Sequence, residues 1–417
     1  MRILFLECKK IMNWKLLLII ALFSVFFQRT YMDWYYYPAS ASGEADILLS
    51  AELMEEYGPD MEMSEWGEAL KEKQKLTVER LDRAVRENAV FQKHKIGSWK
   101  ELKRVGNELF DIYDEDKDMK PENAGLVQAI DDFNFVTHYK DVFRKQTIDG
   151  FQEELNAEWR SFGFEEEQLD FLIEDRYGGE KGGISEDFKE RASELLLNKR
   201  VSLLPENAFD YIRYQMAVFG ILLLISCMVL TLPYQIRERL SGVKGLCLTT
   251  ATGRSLLCRQ FFSILLMSSL ICFVQTGIYL VILWKKGILA FAACPAVTHT
   301  ASIALWFDIN FGVYIGIYLL LNWLYALTGT MLLYFISQKA ANYMIGFAAA
   351  LPLVIGIGML YVQKAANLFA FYPECGMGKS RMVQALFPAV AVVLLFLLAA
   401  GASWAGYLRN RKKDMLV

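Results

Sequence analysis

Between residues 211 and 417 the chain repeatedly runs for about twenty residues with almost no charge, and such stretches have few structural outlets. In hydrocarbon every backbone N–H and C=O must find its partner inside the protein, which leaves helices and closed barrels, and runs of this length suit helices. Five spans are expected in this half, at 214–232, 261–284, 311–336, 343–362 and 383–408. A sixth precedes them at 16–27, "LLLIIALFSVFF". It is short, but Lys15 can snorkel, and Tyr31, Trp34, Tyr35, Tyr36 and Tyr37 supply an interfacial aromatic belt. A signal peptide is the rival reading of this first span. Ala39–Ser40–Ala41 resembles a cleavage site but lies twelve residues past the apolar stretch.

Charge divides the chain again. Residues 31–210 carry 23 Lys and Arg against 42 Asp and Glu, a net of −19, while the rest carries 21 against 5, a net of +16. An acidic segment that belongs in water therefore interrupts a basic, apolar chain. The expected fold is an all-α polytopic membrane protein with six transmembrane helices and a mainly helical extracytoplasmic domain between spans one and two. Its parts are 1–37 (lead-in and first span), 38–210 (acidic domain) and 211–417 (five spans).

Orientation follows from Lys and Arg in the short loops. Arg2, Lys9, Lys10, Lys15, Arg237, Arg239, Lys244, Arg254, Arg259, Lys339, Arg409, Arg411, Lys412 and Lys413 fall on one side, 14 in all. Lys285, Lys286, Lys364, Lys379 and Arg381 fall on the other, 5 in all. The richer side is expected to be cytoplasmic, so both termini lie inside and 31–210 outside, at a plasma membrane. Residues 288–307 are long enough to span, but they carry Pro295, His299 and several Thr and Ser, and a seventh span would place the basic tail outside. An extracytoplasmic, partly membrane-dipping loop is expected there.

Inside the acidic segment, residues 77–91 place Val78, Leu81 and Val85 on one helical face, with Glu79/Arg83 and Asp82/Arg86 four apart in the favourable order. Ser98 to Glu101 reads as a capping box ahead of Leu102, Val105 and Leu109. Asp149 is placed to cap a helix carrying Phe151, Leu155 and Trp159, and Gly178, Gly179, Gly182 and Gly183 mark a flexible loop. No Cys occurs between Cys8 and Cys227. A domain outside the cell without one disulfide suits a lineage that does not depend on them, as a Gram-positive bacterium would be. Cys294 and Cys375 fall in outer loops, either as a pair or as free thiols.

Motifs for chemistry are incomplete. Gly378, Lys379 and Ser380 match the end of a phosphate-binding loop, but Pro373 stands where its first glycine belongs, removing an N–H from a site built of N–H groups. Asp114, Asp116 and Asp118 resemble the start of a calcium loop, yet Met119 occupies the sharp turn and Gly125 the place of the bidentate Glu. His94, His138, His299 and Asp308 have no partners that complete a metal or catalytic set, so no metal site and no catalytic residue is expected. The spans hold only neutral polar groups such as Gln275, Asn322, Thr328 and Ser403. Ion-coupled pumps and intramembrane hydrolases need ionisable groups at depth, so energy for uphill transport would have to come from a partner. Gly312/Gly316, and Gly401/Ala405 with Ala402/Gly406, have the spacing of close helix packing, within the chain or between subunits.

The stretch 235–260, "QIRERLSGVKGLCLTTATGRSLLCRQ", is basic and semi-amphipathic, and its Thr/Gly break divides two helical pieces. It resembles the segment E-x3-G-x-x-x-x-L-x-x-(S/T)-(T)-P-x-(S/G)-R between spans two and three in permease subunits of type-2 ATP-binding-cassette (ABC) exporters. Glu238, Gly242, Leu248, Thr249, Thr250, Gly253 and Arg254 carry the match, and Ala251 stands for the family's usual Pro. The basic start "MRILFLECKKI" is similar to that family's amphipathic lead-in helix. The resemblance covers 1–27 and 214–417 and leaves the acidic domain without a counterpart. It implies that loop 235–259, with Glu238, Gly242, Gly245, Thr249, Thr250, Gly253 and Arg254, docks a cytosolic ATPase subunit. ATP and Mg would bind that partner and not this chain. It also implies a second permease half, identical or not, and a lipid environment with no nucleic acid. An amphipathic, lipid-like or peptide cargo is expected. A transmembrane signal transmitter with the same coupling but no cargo is the alternative.

Overall fold

A computed structural model describes residues 2–32, 41–116, 121–162, 200–242, 251–296, 304–365, 368–371 and 381–413. The protein is all-α. Its helices are α1 (Arg2–Ile11), α2 (Trp14–Phe27), α3 (Ala41–Tyr57), α4 (Met63–Glu87), α5 (Ala89–Lys93), α6 (Trp99–Asp116), α7 (Pro121–Asp132), α8 (Tyr139–Phe162), α9 (Glu206–Leu240), α10 (Ala251–Lys285), α11 (Phe311–Lys339), α12 (Tyr343–Ala365) and α13 (Arg381–Lys413). The described strands are two short antiparallel pairs, Asp60–Glu62 with Arg200–Ser202 and Ala304–Leu305 with Ala370–Phe371.

The chain divides into two compact units. The first holds residues 1–36, 209–297 and 303–417 and is a membrane protein. Among the described residues five helical stretches are long and apolar enough to cross a bilayer: Ala208–Leu240, Cys258–Lys285, Phe311–Lys339, Tyr343–Val362 and Leu386–Ala405. The bent pair Leu4–Ile11 and Trp14–Thr30, 54° apart, makes a sixth if taken as one span. The bend falls where Asn13 caps α2, its side chain accepting from Lys15 N at 3.0 Å. The described residues of 288–307 form no span: Ile288–Ala293 is a short 3-10 helix entered through Gly287 at φ 76°, and Pro295 bridges back to Asn310.

α9 is the centre of this unit. The most apolar window of Ala208–Leu240 is 72% buried, against 17% for Leu386–Ala405, so the last helix leaves most of its surface outside the fold. Small residues let neighbours approach α9. A Cβ on Gly220 would lie 2.5 Å from Asn322 Oδ1 and 2.6 Å from Tyr361 Cε1, and one on Gly329 would lie 2.0 Å from Leu224 Cδ1. Neutral polar side chains join the helices there. Asn322 Nδ2 donates to Met216 O at 2.8 Å, and the Tyr361 hydroxyl donates to Asn322 Oδ1. Thr328 and Ser403 instead bond back to their own helices, at Leu324 O and Ala399 O.

Of the expected packing glycines, Gly312 lies against the 3-10 turn, where a Cβ would meet Ala292 O at 2.9 Å. A Cβ on Gly316 or Gly401 would meet nothing within 4 Å. Gly406 lies near the end of α13.

The second unit, residues 37–208 with 298–302, has two apolar cores. Leu49, Leu53, Trp66, Leu70 and Ile148 form one, from α3, α4 and α8. Leu81, Val85, Phe91, Trp99, Ile130 and Phe133 form the other. The expected face of 77–91 is present, with Leu81 and Val85 buried and Val78 half-buried. α4 stops at Glu87, and Asn88 caps α5 by accepting from Val90 N. The carboxylate of Asp82 accepts from Trp99 N at 2.8 Å and so ties α4 to the start of α6. The capping box also forms, shifted at one bond: Ser98 Oγ accepts from Glu101 N, while Glu101 Oε2 accepts from Gly97 N.

Asp149 begins no helix. It sits inside α8, held by Lys145 one turn earlier and by Gln74 Nε2 at 3.1 Å. Nothing before it breaks the helix, and the lysine four residues away supplies the pairing that a cap would otherwise make. The glycines at 178–183, residues 117–120 of the acidic turn, His299, Cys375 and 378–380 lie outside the described residues. His138 packs on Phe133 with ring centroids 4.5 Å apart, Cys294 is buried, and Asp308 is exposed. No group of residues able to hold a metal ion occurs among the described residues.

Candidate functional site

One end of the membrane unit gathers basic residues from four helices, and the stretch 235–259 begins there, not as a loop throughout but as the last turn of α9 up to Leu240 and, from Ala251 on, the start of α10. α1 packs along α10, and Ile11 enters an apolar cluster with Ile20, Leu230, Tyr234, Ile264 and Tyr334. This position carries Glu7 into the interior, where it is only 3% exposed. A carboxylate there must be paired. Two donors meet it: Lys10 Nζ at 2.7 Å and the hydroxyl of Tyr234 from α9.

Lys10 also reaches Glu238 Oε1 at 3.3 Å, and Gln260 Nε2 of α10 donates to the other oxygen of Glu238. The chain Tyr234–Glu7–Lys10–Glu238–Gln260 thus joins α1, α9 and α10 through alternating charge. Two arginines extend it. Arg237 Nη2 donates to Lys10 O at 3.3 Å. Arg239 Nη1 lies 2.7 Å from Lys339 O, 3.1 Å from Ala340 O and 3.3 Å from Gln338 O. The last carbonyls of a helix lack internal donors and carry its negative dipole end, so a guanidinium there both caps α11 and ties it to α9.

Gly242 ends α9. Its φ of 71° is left-handed, and its N–H donates to Arg239 O at 3.1 Å, the closing turn that glycine makes most easily. Gly253 and Arg254 lie in the first turn of α10, while Gly245, Thr249 and Thr250 lie outside the described residues. The sequence reading found Glu238 and Gly242 but missed Glu7, Lys10, Tyr234 and Gln260. A signal for two of them was present: Glu7 is the lone acid in "RILFLECKKI", three residues before Lys10, a spacing that puts both on one helical face.

The charged groups at this end are matched to one another, and they tie the end of α9 to α1, α10 and α11. No protein-family model, curated protein or solved structure matches the chain.

Proposed function

We propose that this protein is the membrane-spanning permease subunit of an ABC exporter, with loop 235–259 as the place where a separate cytosolic ATPase docks. The observation that carries the reading is the bracing of Glu238 by Lys10 and Gln260 at the start of that loop. The motif residues Glu238, Gly242, Gly253 and Arg254 support it, as does the excess of Lys and Arg at the same end of the spans. In this reading that end is cytoplasmic, both termini are inside the plasma membrane, and the acidic domain is extracytoplasmic.

The ATPase binds ATP and Mg and hydrolyses the nucleotide, and this chain is not itself an enzyme. Closure of two ATPase subunits pushes two such loops. Because α1, α10 and α11 are tied to the loop's root, each push rocks a set of spans in one of two permease halves. The cargo is amphipathic, lipid-like or peptide in character.

A second reading keeps the ATPase but passes no cargo. It is favoured by the acidic unit, which has two apolar cores of its own. In that case the motion of the unit controls a partner in the cell envelope.

The test is a mild-detergent pull-down of tagged full-length chain, native against a Glu238→Ala/Gly242→Val double variant, with size-exclusion profiles to confirm that both fold. A soluble ATPase that follows the native chain and is lost with the variant is the expected result. Absence of any ATPase from the native chain in several detergents refutes the docking. If the ATPase is captured, ATP-driven movement of the acidic unit in vesicles that accumulate no labelled amphiphile or peptide would select the second reading.

A further inference from the structure

A groove of about 750 Å³ runs between α2, α9 and α10. Its walls are mainly apolar, with Gln28 and Arg29 among the lining, and Val25, Leu270, Val274 and Ile278 on its margins are each about half exposed or more, which in a membrane unit means they face lipid. Two polar groups of α10 interrupt this wall. Gln275 and Tyr279 lie one turn apart, and they are 8% and 1% exposed.

Both carry an atom without a hydrogen-bond partner: Gln275 Oε1 and the Tyr279 hydroxyl. The direction of the Gln275 amide is fixed by its neighbours. Ser24 Oγ donates to Ile20 O at 2.7 Å and Ser226 Oγ to Leu222 O at 2.9 Å, so each serine oxygen is left as an acceptor. The amide NH2 donates to both, at 2.9 and 2.8 Å, and Oε1 is left over. A buried carbonyl with no donor has lost its water without compensation, and Tyr279 adds a second unpaired group beside it.

The geometry points to this groove as a binding site for an amphiphile with one apolar chain and a hydroxyl-bearing polar group, which donates to Gln275 Oε1 and bonds the Tyr279 hydroxyl. The volume lies within the roughly 300–1,000 Å³ of small-molecule sites. Direction follows from the lining. Gln275 and Tyr279 lie ten and six residues before Lys285, about 15 and 9 Å from that end of α10. The apolar chain then runs the other way, towards Met267 and Leu17. The site stands without the ABC reading, since occupancy needs neither ATP nor a partner.

The experiment uses full-length chain in phosphatidylcholine nanodiscs with a photoreactive monoacylglycerol. Monoolein and methyl oleate, which have the same chain with and without hydroxyls, compete with the probe. The probe is expected to label α2, α9 or α10, and monoolein to compete about tenfold better than methyl oleate. Tyr279→Phe removes a hydroxyl that has no partner in the fold and should leave folding intact, yet reduce the preference several-fold. Gln275→Leu should bring it close to one. Equal competition by the two esters on the native chain overturns the proposal. So does labelling confined to other helices, or a crosslink showing the groove filled by a helix of a second copy. An ATPase-negative pull-down would leave these results unchanged, so the two failures are distinct.

Discussion

The two units handle polarity in opposite ways. In the acidic unit the interior is Leu, Ile, Phe and Trp, and the ion pairs lie towards the surface, as with Arg144 and Glu52. In the membrane unit the outward residues are apolar, with Phe273 65% and Leu398 68% exposed, while Asn322, Thr330 and Ser337 are wholly buried. Water drives apolar groups inward in the first. In lipid that drive is absent, and close backbone approach with a few interhelical hydrogen bonds takes its place. Mutations should therefore have different costs in the two units.

The largest effect is expected in the acidic unit. Phe91 is fully buried and packs edge-on to Phe133 with centroids 5.4 Å apart. Phe91→Ala should cost about 3–5 kcal/mol through lost burial and the cavity left behind. Hydrogen exchange should show residues 81–142 losing protection while 209–285 keep theirs. Loss of protection in the membrane helices to the same degree would break the division into two units.

The next effect inverts the rule by adding volume. Gly220→Ala places a Cβ 2.5 Å from Asn322 Oδ1 and 2.6 Å from a ring atom of Tyr361, in a junction that has no flexible end to yield. Overpacking of this kind costs about 1–3 kcal/mol. Gly316→Ala meets nothing within 4 Å and should change stability by less than about 0.5 kcal/mol. Thermal melting in detergent, read by size exclusion, compares the two. Equal effects would mean that small-residue contacts on α9 do not hold the bundle.

That pair of glycines also shows what the sequence could disclose. Apolar length alone located the last four apolar helices to within about three residues, because hydrocarbon thickness sets helix length whatever the neighbours are, whereas the helix at Ala208–Leu240 runs six and eight residues past the expected 214–232. Spacing alone could not say which glycines matter. Gly312 and Gly316 match the packing pattern, but the close approaches at Gly220 and Gly329 depend on which helix lies opposite, and that is a tertiary fact. The same limit hid the joint at the basic end. Glu238 was legible from its place in the motif expected after span two, whereas Lys10 and Gln260 are separated from it by 228 and 22 residues. Gln275 was visible as a polar residue in a span. Its unpaired oxygen became evident only once Ser24 and Ser226 were seen to bond their own helices.

The smallest effect tests how the acidic unit uses charge at its surface. Arg144 binds Glu52 through both nitrogens, at 2.6 and 2.5 Å, and Lys73 lies 3.9 Å from the same carboxylate. The hydrogen bonds from Arg144, followed by its charge, hold the Glu52 carboxyl below the usual glutamate range, against partial burial, which raises it. A folded-state value below the unfolded one stabilises the fold fully above the ordinary glutamate pKa of about 4.3, and that stabilisation disappears as the pH falls through the lower folded value. The Glu52 side chain is 43% exposed, so solvent screening limits the contribution to about 1 kcal/mol at neutral pH. Glu52→Gln should therefore lower the melting temperature of the acidic unit at pH 7. The gap from the native chain should narrow below about pH 4, where the native carboxyl protonates as well. A gap of constant size from pH 7 to pH 3 would show that Glu52 holds α3 to α8 by packing, with its charge contributing nothing.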